Sequence, residues 1–98
     1  MVGNYKEDIM QISKHAEKRI RKRLGIPRKA VPRFIEEAQT KGTPLKDFKG
    51  RVKRFYDAIS ITYKAGNQTF SYRDYVFIVQ DSMLVTVYPI PNQLQGKT

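Results

Sequence analysis

The sequence predicts an α+β domain with two to three N-terminal helices packed on one face of a four-stranded antiparallel sheet. Apolar side chains recur at helical spacing in the first part of the chain, and later segments are rich in β-branched and aromatic residues. Helices followed by strands are typical of α+β domains. Because the chain has 98 residues, we expect one domain at 13–91, preceded by an N-terminal arm at 1–12 and followed by a disordered tail at 92–98.

The first helix is predicted over 14–24. Ser13 is a suitable N-cap, and Gly25 can end the helix in the left-handed conformation. Its apolar stripe is narrow and recurs at every fourth position, at Ile12, Ala16, Ile20 and Leu24. The rest of the helix surface is cationic.

A second helix is predicted over 29–40 and is ended by Gly42. Pro32 is tolerated only in a first helical turn, which favours a start later than residue 29. A third, short helix is predicted over 51–58, where apolar residues are spaced at i, i+3, i+4 and i+7.

Four strands are predicted at 59–64, 69–72, 75–80 and 83–88. The polar links between them are short, which favours an antiparallel meander. In the last strand, strict alternation places Leu84, Thr86 and Tyr88 on one face and Val85 and Val87 on the other.

The strand at 75–80 is apolar on both faces, which indicates a central position in the sheet. Tyr75, Phe77 and Val79 share one of its faces. We expect its aromatic side chains to pack in or beside the core; the alternatives are that a second copy of the chain covers this face in a homodimer or that bases of a nucleic acid stack on it.

Composition excludes several functional classes. There is no cysteine, which excludes disulfide scaffolds, Cys-ligated zinc and thiol nucleophiles, and there is a single histidine. No nucleotide-binding glycine loop, His-Glu-x-x-His motif or Gly-x-Ser-x-Gly motif is present. We therefore expect no metal and no cofactor. No apolar run approaches the length of a membrane helix, so we expect no membrane partner and a cytoplasmic location.

The positive charge is concentrated in the first half of the chain. Residues 1–54 contain 16 basic and 6 acidic side chains, whereas residues 55–98 contain 3 of each. A phosphate backbone would reduce the repulsion among so many positive charges. We therefore expect a nucleic acid as partner, RNA more than DNA. The predicted contacts are basic residues of the first helix, the following connection and the 49–54 region, namely Lys14, Lys18, Lys22, Arg23, Arg28, Lys29, Lys49, Arg51, Lys53 and Arg54.

His15 lies among these cations. On a helix, positions 15, 18, 19 and 22 share one face, which places an imidazole beside Lys18, Arg19 and Lys22. This arrangement suits metal-independent RNA cleavage, in which a base, an acid and cations act on one phosphodiester. An ordinary surface histidine beside lysines shows the same pattern.

The run Ile12-Ser13-Lys14-His15-Ala16-Glu17-Lys18-Arg19-Ile20, together with Arg23, resembles the opening helix of RelE-like domains. These small bacterial and phage-borne domains belong to the barnase–EndoU–colicin superfamily of metal-independent ribonucleases. The two closing strands also resemble the closing hairpin of that superfamily. The resemblance implies two helices before a four-stranded antiparallel sheet, and a site of His15, Arg19, Thr86 and Tyr88.

Three functions remain open at this point. The first is a metal-independent endoribonuclease or toxin-like protein that acts on RNA, with a cognate acidic or DNA-binding antitoxin. The second is a non-catalytic phage or bacterial nucleic-acid-binding module. The third is a basic inhibitor that binds an acidic protein partner.

Overall fold

The structure, a computed structural model, describes residues 11–61 and 68–91. Within these residues the protein is an α+β domain with three α-helices and a five-stranded mixed sheet. The elements in chain order are β1 (Gln11–Ile12), α1 (Lys14–Leu24), α2 (Val31–Lys41), β2 (Thr43–Pro44), α3 (Gly50–Ile59), β3 (Phe70–Tyr72), β4 (Tyr75–Gln80) and β5 (Met83–Pro89). Two 3₁₀ turns, Arg28–Ala30 and Leu45–Asp47, precede α2 and α3.

Helix α1 has the predicted bounds because its signals are local. The Ser13 hydroxyl accepts a hydrogen bond from the Ala16 amide at 3.0 Å, as expected of an N-cap. Gly25 ends the helix with a φ of 69°, in the left-handed region that favours glycine. Ala16 and Ile20 are fully buried, and the other positions of α1 are exposed or half-buried.

Helix α2 begins at Val31, two residues after its predicted start. Residues Arg28–Ala30 form a 3₁₀ turn, and Pro32 therefore lies in the first turn of α2, where its missing amide hydrogen removes no helical bond. After α2 the chain passes so close to β3 that a Cβ on Gly42 would overlap the carbonyl oxygens of Ser71 and Ala38. Only glycine fits at this position.

The sheet differs from the predicted one in its number of strands, which is five instead of four, and in one pair of strands, which is parallel. The strand order is β1-β5-β4-β3-β2, and β1 pairs with β5 in parallel, with Gln11 opposite Met83, whereas the other pairs are antiparallel. The edge strands β1 and β2 have two residues each, too short for a periodic pattern. At the predicted strand 59–64, Ile59 is the last residue of α3, and residues 62–67 lie outside the described ones, as does the predicted tail at 92–98.

The helices cover both faces of the sheet, which corrects the prediction of one covered face. Helices α1 and α2 pack on the face that contains Phe77, Leu84 and Val87. Helix α3 packs on the opposite face, around Val76 and Ile78. Because β4 is apolar on both sides, each side needs a cover, and the apolar stripe of α3 supplies the second one.

The aromatic face of β4 is inside the protein. The ring of Phe77 stacks on that of Phe70 at a centroid distance of 4.8 Å and lies 6.2 Å from the ring of Phe34 on α2. This face is therefore covered by α1 and α2 of the same chain, which agrees with core packing and corrects the alternatives of a second copy of the chain or stacked bases. The predicted central position of β4 is confirmed.

A β-bulge changes which residues of β5 share a face. Ile78 is opposite Thr86 and Val79 is opposite Leu84, so Val85 has no partner across β4. Leu84 and Val87 consequently both face α1 and α2. The prediction that Leu84 shares a face with Thr86 and Tyr88 was wrong, because the extra residue of the bulge interrupts the strict alternation of side chains along β5.

A hydrogen-bonded pair joins α2 to β3. The Tyr72 hydroxyl donates to Glu37 Oε2 at 2.7 Å, and the Arg73 guanidinium lies over the Tyr72 ring at 5.3 Å. The hydrogen bond is the main reason why the pKa of Glu37 is lowered and that of Tyr72 is raised. Because the folded-state pKa of Glu37 is depressed, its contribution to stability is present above its ordinary value of 4.5 and is lost as the pH falls through the lowered folded-state pKa.

We therefore predict that Tyr72→Phe lowers the melting temperature by a few degrees at most at neutral pH. The difference from wild type should shrink as the pH falls below 4.5, since a protonated Glu37 no longer holds the bond as a carboxylate. Thermal melts across this pH range measure it. Tyr75→Phe is the control, because the Tyr75 hydroxyl donates to the Arg23 carbonyl oxygen, which does not titrate. Equal pH profiles for the two variants would contradict the prediction.

Candidate nucleic-acid interface

The outer face of α1 is cationic and unpaired. The helix contains six basic residues and one acidic residue, and it buries only Ala16 and Ile20 fully. Within the described part of the chain, five exposed basic side chains of α1 have no carboxylate partner: Lys14, Lys18, Arg21, Lys22 and Arg23. We refer to these five residues as the α1 cationic face.

Other predicted phosphate contacts are already paired. Arg28 lies 3.3 Å from Glu17, and Lys53 lies 3.1 Å from Asp57. Arg51 donates to Asp74, and its side chain is only 24% exposed. These pairs neutralise part of the predicted interface, so Arg28, Arg51 and Lys53 are weaker candidates for binding phosphate than the α1 cationic face.

Lys29, Lys49 and Arg54 are exposed. Lys49 and Arg54 belong to the α3 side of the sheet, opposite α1, so the two basic regions do not form one surface. Tyr88 on β5 contacts residues of both helices. The Arg19 guanidinium lies 5.5 Å from the Tyr88 ring centroid, and the Phe55 ring of α3 meets that ring edge-on at 6.4 Å.

The structure brings His15, Arg19 and Tyr88 together. Arg19 Nε donates a hydrogen bond to His15 Nε2 at 2.8 Å, across one turn of α1. The same guanidinium stacks over Tyr88 on β5. An open groove of about 250 Å³ runs along this flank of α1. It is lined by His15, Lys18, Arg19, Lys22 and Arg23, and we refer to it as the His15 groove.

Thr86, the fourth residue of the predicted site, lies in the interior. Its side chain is 2% exposed, and its hydroxyl oxygen has no hydrogen-bond partner within the described part of the chain. Thr86 lies opposite Ile78, whose side chain belongs to the core under α3. The cover of α3 over this face of the sheet thus separates Thr86 from the solvent-facing groove.

Ser13 holds the start of α1, and with it His15 and Arg19, against β5, a role that the sequence did not reveal. Its hydroxyl donates to the Val85 carbonyl oxygen at 3.1 Å, and its amide donates to the Leu84 carbonyl oxygen at 3.0 Å. The start of α1 is therefore fixed to β5. The capping role was visible in the sequence, but the contact with Val85 depends on a bulge that leaves no local signal.

A second depression, of about 470 Å³, lies at the C-terminal end of α1. It involves Arg21 and the residues that follow the helix, Gly25–Pro27, none of which the sequence singled out as a binding residue. The sequence feature that could have indicated this depression is the position of Gly25 and Pro27 shortly after the cations of α1.

No group of three or more His, Cys, Asp or Glu side chains among residues 11–61 and 68–91 could hold a metal ion. Within the same residues, no helix is long and apolar enough to cross a membrane.

Comparison of the chain with protein-family models, with curated proteins and with solved structures found no match. The resemblance to RelE-like domains stays a prediction. The structure shares with it the order of α1 and α2 before a closing β4–β5 hairpin, but α3 and the mixed five-stranded sheet depart from the implied pattern.

The hydrogen bond from Arg19 predicts the tautomer of His15. Because Nε2 accepts this bond, the neutral ring should carry its hydrogen on Nδ1. Long-range ¹H–¹⁵N NMR at alkaline pH reports this directly, and the single histidine makes the assignment unambiguous. Arg19→Gln should shift the equilibrium towards the Nε2–H form. A wild-type ring protonated mainly on Nε2 would contradict the geometry.

Proposed function

We propose that this protein binds RNA through the α1 cationic face. The observation that carries the proposal is that five exposed cations of one helix have no carboxylate partner within the described part of the chain. Phosphate groups would relieve the repulsion among them and would release counterions from the nucleic acid. Two open depressions flank the ridge formed by Lys18 and Lys22, so a strand can follow the helix.

RNA is favoured over DNA because of what lies beside this face. The His15 groove holds an imidazole and a guanidinium stacked on an aromatic ring. These groups can interact with a 2′-hydroxyl next to a bound phosphate, and DNA lacks that hydroxyl.

Charge reversal on the α1 cationic face should weaken RNA binding strongly. If about five phosphates are neutralised, the logarithm of the binding constant should fall with that of the salt concentration with a slope of about −3 to −4. Lys22→Glu should weaken binding about tenfold or more and reduce this slope by about one. Fluorescence anisotropy with a labelled single-stranded RNA across a salt series measures both quantities.

The matched control is Lys46→Glu. Lys46 is an exposed lysine in the turn after β2, at the sheet edge opposite β1, and it also has no carboxylate partner within the described residues. Both variants change the net charge equally, so Lys46→Glu reports the long-range effect of charge alone. Equal loss in the two variants would contradict binding at α1. Salt-independent RNA binding, or binding of an acidic protein with no RNA binding, would overturn the proposal.

A second candidate function is metal-independent cleavage of the bound RNA, favoured by the contact of His15, Arg19 and Tyr88. The 2′-oxygen would attack the phosphorus while the bond to the 5′-oxygen breaks, giving a 2′,3′-cyclic phosphate and a 5′-hydroxyl. His15 would take the proton of the 2′-hydroxyl on Nε2, which Arg19 would release as its guanidinium turns to the phosphate. Arg19 and Lys22 would stabilise the charge on the phosphorane, and the Tyr88 phenol would protonate the leaving oxygen.

Cleavage predicts a loss of activity without a loss of affinity. In EDTA, wild type should convert single-stranded RNA to fragments with 2′,3′-cyclic phosphate ends, which mass spectrometry identifies. His15→Ala should reduce the rate by about 100-fold or more, the usual contribution of a general acid or base, and should bind RNA within about twofold of wild type. No cleavage by wild type, or equal rates in both proteins, would exclude this second function and leave the binding proposal standing.

A further inference from the structure

The depression at the C-terminal end of α1 combines charge with an apolar floor. Its volume is about 470 Å³, within the range of about 300–1,000 Å³ that is common for small-molecule sites. Four cations stand around it: Lys18, Arg21, Lys22 and Arg28. The other residues that line it, Gly25, Ile26 and Pro27, are uncharged, and we refer to these three as its floor.

The floor is open because of the way α1 ends. Gly25 has a φ of 69° and no side chain, and a Cβ built on it would meet no atom within 4 Å. Ile26 is half-buried and packs against the core under α1 and α2, which fixes it in place. Pro27 follows in an extended conformation with a rigid ring. The three residues thus present a small, fixed apolar surface beside the cations.

The four cations around the depression differ in whether a carboxylate neutralises them. Arg28 is held by Glu17 at 3.3 Å, so its charge is partly neutralised. Lys18, Arg21 and Lys22 have no carboxylate partner within the described residues and stand on the α1 side of the depression. A ligand that fits must carry negative charge on one side and a flat apolar group on the other, as a nucleotide does.

Lys18 and Lys22 connect this depression with the His15 groove, because both residues line both. The two sites therefore lie side by side across one ridge of α1. A polynucleotide bound in the groove could therefore cross this ridge and reach the Gly25–Pro27 floor with a neighbouring nucleotide.

We propose that the depression binds one unstacked nucleotide of a single-stranded RNA, with its base against Ile26 and Pro27 and its phosphates on Lys18, Arg21 and Lys22. The inference rests on the proposed function and adds a preference to it. A base can enter the depression only when it has left its stack, so single-stranded RNA binds better than a duplex of the same sequence.

The test uses two variants of Gly25 that differ in charge alone. Asparagine and aspartate both tolerate the left-handed conformation, so Gly25→Asn and Gly25→Asp should fold alike. The aspartate places a carboxylate among the cations, where it competes with phosphate. Gln39→Asp, at an exposed position on the α2 surface, controls for the added charge. Affinities are measured for a labelled single-stranded RNA, the same strand with abasic sites, and its duplex.

We expect Gly25→Asp to bind the single strand about tenfold or more weaker than Gly25→Asn, and Gln39→Asp to bind it within about twofold of wild type. Wild type should lose about fivefold or more when bases are removed, the size expected for one stacked base. It should prefer the single strand to the duplex by a similar factor.

A second set of variants keeps the test valid if a change at Gly25 disturbs folding. Pro27 is exposed and lines the depression, where we propose that it contacts the base, whereas Arg21 in the depression and Arg23 in the His15 groove are exposed cations that would contact phosphate. Pro27→Ser should reduce the preference for intact over abasic RNA, because it removes the ring from the base contact. Arg21→Gln and Arg23→Gln should weaken binding of both RNAs and leave that preference unchanged.

The outcomes separate the two proposals. Equal affinities for single strand, abasic strand and duplex, with Lys22→Glu still weakening binding, would overturn the nucleotide site and leave RNA binding by α1 intact. Failure of wild type to bind any of the three RNAs would overturn both proposals.

Discussion

The attachment of Ser13 to β5 determines where the functional groups of α1 lie. One side chain caps the helix by accepting from the Ala16 amide and also donates to the Val85 carbonyl oxygen, while its own amide donates to Leu84. Val85 is the bulged residue of β5 and has no partner on β4, so its carbonyl oxygen is available to Ser13. The bulge of β5 and the N-cap of α1 are thus joined through the Ser13 side chain, and together they fix the start of α1.

The remainder of α1 follows from that starting point. Ala16 and Ile20 hold the helix on the sheet, and the Tyr75 hydroxyl reaches the Arg23 carbonyl oxygen near its last turn. Since only a narrow stripe is buried, one flank carries His15 and Arg19 towards Tyr88, and the outer surface is left to unpaired cations. The fold is stabilised by two apolar cores on opposite faces of the sheet, which do not involve these cations. Packing therefore does not account for their concentration on one helix, whereas the proposed RNA contact does.

The features that the sequence predicted correctly are set by neighbouring residues. The features that it missed arise only when the sheet is assembled. The bounds of α1 followed from Ser13, Gly25 and an every-fourth apolar stripe, and the contact of His15 with Arg19 followed from i,i+4 spacing. The side on which α3 packs depends on long-range pairing, and two-residue edge strands carry no periodic signal. The burial of Thr86 depends on α3 covering that face of the sheet, and the depression beside Gly25 has a three-dimensional shape that a linear pattern does not contain.

If RNA binds as we propose, its contacts within the described part of the protein lie on α1, in the Gly25–Pro27 segment and at Tyr88. Amide chemical shifts of ¹⁵N-labelled protein, followed during titration with single-stranded RNA, test it most directly because every described element is observed at once. We expect shifts to concentrate in α1, at Gly25 and Ile26 and at Tyr88, and the exposed amides of α2 and Thr43 at the β2 edge to remain unchanged. Shifts centred on α3 or spread evenly over the surface would contradict it.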